Sequence, residues 1–584
     1  AEKLRAAGIA VSLQVGRTIG HWANENFSDY SGQPEDANFT VNLSGKTEEG
    51  FYCARSEGFR NYFEQVCRIY CETLHPQSIY FDDDLRLRAW DGNMRCACPN
   101  CLKAFNERYK TKYASAEELG KAVKEDGEMR KNFLAFSYGN LAEFTERISR
   151  ACAAGYPDVI VGLQHGGYSG ELNRHLFAAI KRSGAKAIGS RSGAGAYTDD
   201  APAELVKKAN ELECQLSRVP DFVTHRCPEI EGYPHVYFNK SAHGFLMESV
   251  IDLAQGFNFL SFAAFCGNYE KQLFEEFNRK FSKNRSYLER LVAANNGTYR
   301  LGIRNFIPER YFLTDDDYPS GALTAGRYMC PQFYYGLPVT YDMRGKGALY
   351  LDHRLVNILT ESEIDMLLKN PVITSGRAII ELQKRGFGDK TGVRAEPING
   401  GYYEEEIFGY GKNNVTFLCG DCTVLYGDVK AISRYAPHSE MGIVKPQFRG
   451  GGIASCITET ACGGKWLVLG YAPENTKPSL AKAQSIADAV NEIAALPVKI
   501  GASRLLQYPR GNEKGVSAVT FLNASVEKSA PTFVSVVSAA GKRFIWQAQD
   551  EDPVALPAVI KGGIASVTLP ELAGWTAGTL FTEE

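Results

Sequence analysis

The first 300 or so residues alternate short apolar runs with stretches in which apolar residues recur every three or four positions. The runs Ile9–Val15, Ser78–Asp82, Val159–Gln164, Lys186–Ser190, Asp221–Cys227 and Asn258–Phe265 have the length and composition of buried strands. Between them lie helical patterns. Gly58–Leu74 puts Phe59, Phe63, Val66, Tyr70 and Leu74 on one face, and Met129–Ala153 and Leu273–Ala293 behave in the same way. Alternation of buried strands with helices predicts a parallel α/β sheet, open or closed into a barrel. Six strand–helix units are legible where a closed barrel needs eight. The chain also opens inside a helix, Ala1–Ala7, that ought to follow an earlier strand. The expectation is a TIM-type (β/α)8 barrel over residues 1–298 whose first one or two units are missing from this sequence.

The pattern changes near Asn295–Thr298. Residues 299–495 are again α/β, with strands at Ala348–Leu351, Val372–Thr374 and Lys465–Tyr471 and further strands between Tyr402 and Tyr426. A Thr-x-x-Glu capping box, Thr360 and Glu363, opens a helix there. From Pro497 the runs Ser517–Leu522, Thr532–Val537, Arg543–Gln547 and Ile564–Leu569 alternate with turn residues, which predicts a small antiparallel β-domain over 496–584. No internal repeat or low-complexity segment interrupts this layout.

Composition narrows the function classes. Lys plus Arg total 65 against 68 Asp plus Glu, a net charge of −3 that gives no electrostatic case for nucleic acid or an anionic membrane as partner. No run of about 18 apolar residues predicts a membrane span. The N-terminal residues lack the charged and apolar regions of a signal peptide, so the expected location is cytoplasmic. Fifteen cysteines, an odd number over a long chain, point to reduced thiols with one metal site rather than to a disulfide framework.

Chemistry concentrates in three places. In Ser78-Ile-Tyr-Phe-Asp82-Asp83-Asp84-Leu-Arg86-Leu-Arg88, an apolar strand runs into three carboxylates and two arginines. Adjacent like charges cost stability, and the carboxyl ends of strands are where α/β folds bind ligands. The alternative is a solvated acidic turn paired with its arginines. Next, Cys96-Ala-Cys98-Pro-Asn-Cys101 before a helix has the spacing of thiolate ligands to zinc, with Cys53 as the best fourth ligand. Four thiolates leave no open position, so this zinc would be structural, and no organic cofactor motif is present. Buried free thiols are the alternative. Cys67 and Cys71 read as packing, and Cys419-x-x-Cys422 as a turn.

The third place is Asp221-Phe-Val-Thr-His225-Arg226-Cys-Pro-Glu229-Ile-Glu231-Gly-Tyr233-Pro-His235, where Glu229 and Glu231 share one side of an extended chain. With the aspartates of another strand end, they make a candidate two-carboxylate site. His165, Tyr168, Arg191 and Tyr197 follow the intervening strands among small residues, and with Asp82, Arg86 and Tyr233 they are the candidate substrate contacts. Asn239-Lys-Ser241 lies beside this site, where a glycan would not fit, and reads as a chance triplet.

This order of parts resembles the β-galactosidases of glycoside hydrolase family 42. The resemblance implies a barrel, then a flavodoxin-like trimerisation domain over 299–495, then a small β-domain. It implies that Phe81–Leu85 matches the acid/base motif, with Asp84 in place of the family's glutamate and Asp83 in place of its asparagine. Cys53, Cys96, Cys98 and Cys101 would match the zinc ligands, and Glu229 the nucleophile, with Glu231 in reserve. The expected protein is a homotrimeric retaining exo-β-glycosidase, with glycosides as substrates. Two alternatives stand: a substrate-assisted N-acetylhexosaminidase using the adjacent aspartates, and a catalytically silent carbohydrate-binding barrel. Arg86, Arg88 and Arg226 also leave an acidic sugar open.

Overall fold

The computed structural model describes residues 1–16, 18–20, 37–87, 93–166, 170–200, 202–265, 270–308, 336–398, 403–413, 422–437, 452–471, 478–501 and 503–584. Its N-terminal part is a curled six-stranded parallel sheet, a half-barrel. We number its strands β1 (Ser12–Val15), β2 (Ser78–Phe81), β3 (Ile160–Gly166), β4 (Ala187–Gly193), β5 (His225–Glu231) and β6 (Ser261–Ala263). Their spatial order is their chain order, and each neighbouring pair is parallel. The crossovers carry the expected helices, including Glu57–Leu74, Gly127–Gly155 and Lys271–Ala294. In the first of these the buried stripe is Phe59, Phe63, Cys67 and Cys71, so the two cysteines take core places given above to Val66 and Tyr70.

Most strand positions match the apolar runs, but β5 begins four residues later than its run. Val223 N–H donates to Pro220 C=O in a turn, and the buried Val223 precedes the strand instead of pairing in it. The shift places Glu229 and Glu231 within the strand rather than after it.

Side-chain parity decides what the half-barrel presents inside. Gln14, Tyr80, Gln164, Arg191, Cys227 and Glu229 share the inner face. Tyr80 lies across two neighbouring strands. A Cβ on Gly162 would come within 2.3 Å of its Cε1, and one on Gly189 within 2.3 Å of its hydroxyl. Glycine at both positions is therefore a steric requirement.

The next sheet has eleven strands. Val339–Thr340, Ile303–Asn305, Leu349–Leu351, Val372–Ser375 and Lys465–Leu469 are parallel neighbours. The antiparallel Ile453–Glu459, Lys430–Pro437, Tyr403–Ile407 and Gly411–Asn413 extend it. Thr360 and Glu363 form the anticipated capping box. Among the described residues, the remaining strands make a two-stranded antiparallel hairpin, Phe39–Val41 with Thr47–Tyr52, and two antiparallel sheets of four and six strands. Tyr299–Arg300 joins the six-stranded one by pairing with Arg510 and Gly511, so the residues that follow the barrel first return to the C-terminal sheet. No described helix is long and apolar enough to cross a membrane.

Candidate active site

At the carboxyl ends of β1–β5 the inner-face polar side chains form one hydrogen-bonded chain. Gln14 Nε2 donates to Gln164 Oε1 at 3.0 Å, and Arg191 Nη2 donates to the same oxygen at 2.6 Å. Arg191 Nη1 donates to Glu229 Oε2, while Asp82 Oδ1 lies 3.9 Å from Nη2. One guanidinium thus stands between a carboxylate from the β2 turn and a carboxylate from β5. Gly193 clears the space, because a Cβ there would come within 2.5 Å of Glu229 Oε2.

Glu231, two residues on, points to the same side and is hydrogen-bonded to Glu229. Burial and the neighbouring Glu229 carboxylate push its acid up to about 7, against the opposing pull of Arg191 and Lys208. His235 Nε2 is 3.5 Å from Glu231 Oε1. Tyr197 borders the group, and burial with Glu229, Glu231 and Asp83 nearby holds its hydroxyl well above the usual phenol value. Asp83 is the one partly exposed member of the acidic triplet. Tyr233 is exposed, its ring edge-on to His235. Asn239 spends its amide on the carbonyls of Tyr197, Gly232 and Tyr233, tying the two aromatic loops together.

Three anticipated contacts lie elsewhere. Asp84 is fully buried, and its Oδ2 accepts from the N–H groups of Thr18, Ile19 and Gly20 at 2.5, 2.8 and 2.9 Å. It latches the segment after β1 and offers a glycosidic oxygen no access. Burial and Asp82 push its acid up to about 7. Arg86 turns away to lie near Arg95 and the cysteine cluster. His165 has the wrong parity: it lies on the outer face of β3, buried, with Nε2 2.8 Å from Ser190 Oγ and its ring edge-on to Phe177. Burial and Arg191 hold its imidazole down at about 3, so it stays neutral. Tyr168 and Arg88 lie outside the described residues. Arg226 and His225 stand at the start of β5, three and four residues before Glu229. Arg226 donates to Val223 and Pro220 carbonyls, and His225 stacks on Phe259.

Sequence reading missed Gln14, Gln164 and a buried group behind β5 formed by Lys208, Lys240, Glu248 and Asp252. A signal for the last existed. Glu248 and Asp252 are carboxylates four residues apart in Phe245–Ala254, an otherwise almost wholly apolar helical stretch.

The metal candidate is compact. The sulfurs of Cys53, Cys96, Cys98 and Cys101 all lie within 4.8 Å of one another, with Cys53 3.4 Å from Cys101 and 3.7 Å from Cys98. Tetrahedral Zn²⁺ with Zn–S near 2.3 Å needs sulfurs about 3.8 Å apart, so the donor set fits. Mutual hydrogen bonding pulls the Cys98 thiol down and pushes Cys96 and Cys101 up. Cys98 caps the helix Pro99–Tyr109, and Cys53 follows the hairpin strand Thr47–Tyr52. The cluster therefore joins that hairpin to the segment that returns from the acidic turn.

No protein-family profile matches the chain, and no curated protein matches it by sequence. Solved structures do match by shape. A family 42 β-galactosidase from G. stearothermophilus is 13% identical at a TM-score of 0.61, covering 100% of this chain and 90% of that one. The chain has the fold of the family 42 β-galactosidases. The β-galactosidase from Bacillus circulans sp. alkalophilus is 12% identical at TM-score 0.60, again covering 100% of this chain and 90% of that one. The α-L-fucosidase isoenzyme 2 from Paenibacillus thiaminolyticus is 13% identical at 0.66, with 100% and 89% covered.

Proposed function

We propose that this chain is a glycoside hydrolase, a retaining exo-β-glycosidase of β-galactosidase type, with Glu229 as nucleophile. The observation that carries the reading is the Arg191 bridge, which sets Glu229 and the acidic turn after β2 around one point at the carboxyl ends of the strands. Arg191 balances the charge of Glu229 and fixes its carboxylate. The resulting anion attacks the anomeric carbon as the glycosidic C–O bond breaks. The proton for the leaving oxygen comes from the acidic turn. Asp83, partly exposed and close to Tyr197, takes the role first given to Asp84, whose carboxyl is enclosed. In the second step Asp83 removes a proton from water, and that water releases the sugar from Glu229. Asp82, Tyr197 and Tyr233 would contact the sugar, and Glu231, hydrogen-bonded to Glu229, would hold it in register.

Cys53, Cys96, Cys98 and Cys101 would hold one structural Zn²⁺, supplying rigidity and no chemistry. By the family resemblance, the domain built on the eleven-stranded sheet, which begins at Ile303, would mediate a homotrimer, which light scattering tests directly.

The deciding experiment is a screen of aryl glycosides followed by trapping with the matching 2-fluoro sugar. A glycosyl-enzyme on the peptide containing Glu229 is the expected result. Turnover without trapping would favour the substrate-assisted N-acetylhexosaminidase reading. No turnover with any aryl glycoside would favour a silent carbohydrate-binding barrel.

A further inference from the structure

Strand β5 changes partners half-way along. Its pairing with β4 ends at Ser192↔Pro228, and its pairing with β6 starts at Glu229↔Ser261 and runs to Glu231↔Ala263. Pro228 has no N–H, so the strand parts from β4 just where the two glutamates begin. A strand parted from its neighbour leaves backbone carbonyls that need other donors. Two buried ammonium groups supply them. Lys208 Nζ, from the helix Pro202–Leu216, donates to Glu229 C=O. Lys240 Nζ donates to Glu231 C=O at 2.9 Å and to Ala196 C=O, beyond the end of β4, at 2.7 Å. Lys240 thus spans the gap in the ladder. Glu248, from the helix Ala242–Gln255, joins the two lysines, one carboxylate oxygen to each.

Lys208, Lys240 and Glu248 are 1%, 4% and 1% exposed, and Asp252, adjoining them, is 0% exposed with neither carboxyl oxygen hydrogen-bonded. Burying ions is costly, and well-packed apolar residues of similar volume serve stability as well or better. Stability alone therefore does not account for two lysines here. Their contacts with the backbone of the two site glutamates do.

We propose that Lys208, Lys240 and Glu248 are positioning residues, a charged frame that sets the place of the Glu229 and Glu231 carboxyls from behind the strand. Lys208 acts on the pair electrostatically as well. The groups facing Glu231 are Glu229 on its own strand, Arg191 on β4, Tyr197 after it, Lys208 on the helix behind and His235 in the following loop. Of these, Arg191 and Lys208 are the cations that favour the carboxylate. Lys240 is held to Glu231 only through its backbone. The two lysines therefore predict different signatures.

The inference rests on Glu229 and Glu231 being the reacting site, and the test separates the two claims. Lys208→Met, Lys240→Met and the near-isosteric Glu248→Gln are compared in the full chain by thermal midpoint, pH profile and kcat and KM on an aryl glycoside. Lys240→Met should lower kcat by about 30–100-fold with KM within about threefold, the effect of a displaced carboxyl. Lys208→Met should also move the limb governed by Glu231 to higher pH, because a favourable cation is gone. Glu248→Gln leaves both lysines in place and keeps the shape of the frame, so it should give the fall in kcat in weaker form, and it keeps the test open if either lysine variant unfolds. Folded variants with wild-type kcat and pH profile overturn the inference. If Glu229→Gln is itself active, the reading of the site is what has failed.

Discussion

Arg191 and Glu229 are bound across neighbouring strands, Nη1 of one donating to Oε2 of the other, while Nη2 of the same guanidinium is committed to Gln164. A planar fork held at two points orients the carboxylate as well as attracting it. Arg191 is 8% exposed, so water does little to screen the pair.

Replacing Arg191 by Lys keeps the charge and loses the fork. We expect kcat/KM to fall by about 100-fold or more, with the fall mostly in kcat, since orientation matters most as the bond to the anomeric carbon forms. Steady-state kinetics on an aryl glycoside reads this. A variant within a few-fold of wild type would show that the arginine is only a structural neighbour.

Asp84 makes a prediction about stability. Its folded acid lies at about 7, above the ordinary aspartate value near ~3.9. The folded chain therefore holds this proton more tightly than the unfolded chain. The contribution is fully present below about pH 4 and is lost as pH rises to about 7, by at most about 1.4 kcal/mol per pH unit. Asp84→Asn retains an oxygen for the N–H groups of Thr18, Ile19 and Gly20 but cannot ionise. The thermal midpoint of wild type relative to Asp84→Asn should fall across that window and level off above it. A difference that is constant with pH would remove Asp84 as the source, and near-complete loss of activity in this folded variant would return it to the acid/base role.

Strand–helix alternation made the half-barrel legible, because burial on both faces of a parallel sheet leaves runs that are apolar throughout. The same property hid parity. Gln164 and His165 are adjacent polar residues at the end of one apolar run, and only the sheet's geometry sends Gln164 inward and His165 outward. The acidic triplet shows the same limit. Three consecutive aspartates leave β2 in different directions, and the one enclosed by backbone amides is the one the family motif aligns with a catalytic acid. Cysteine spacing suffered no such ambiguity. A C-x-C-x-x-C run fixes three sulfurs locally, and Cys53 arrives through the hairpin paired alongside. Lys208 and Lys240 read as ordinary polar residues, since their role depends on a strand exchanging partners at Pro228.

The cysteine cluster predicts one zinc per chain by elemental analysis of the purified protein. Stripping the metal with a thiol-reactive mercurial and a chelator, or substituting Cys98→Ser, should lower the thermal midpoint by roughly 5–10 °C. Activity should fall less steeply than stability, because the cluster braces the hairpin and the segment after the acidic turn without facing Glu229. Far less than one equivalent of zinc, or a disulfide between any two of the four, would sink the assignment.

Glu231 carries the last prediction. Its acid is pushed up to about 7 by burial and by the Glu229 carboxylate. At pH 6 it is protonated and donates to Glu229, which keeps the pair at a single negative charge beside Arg191. Above pH 7 Glu231 loses that proton, and its carboxylate repels Glu229 across the contact that held them in register. Activity should therefore decline on the alkaline side with a midpoint near 7, the direction expected of an acid that must stay protonated. Glu231→Gln keeps a hydrogen-bond donor at every pH, so it should retain activity within about tenfold of wild type at pH 6 and lose the limb near 7. Glu229→Gln should abolish turnover with every leaving group. If Glu231→Gln is the dead variant and Glu229→Gln the active one, the nucleophile lies two residues further along β5. A limb near 7 that survives in Glu231→Gln belongs to another group.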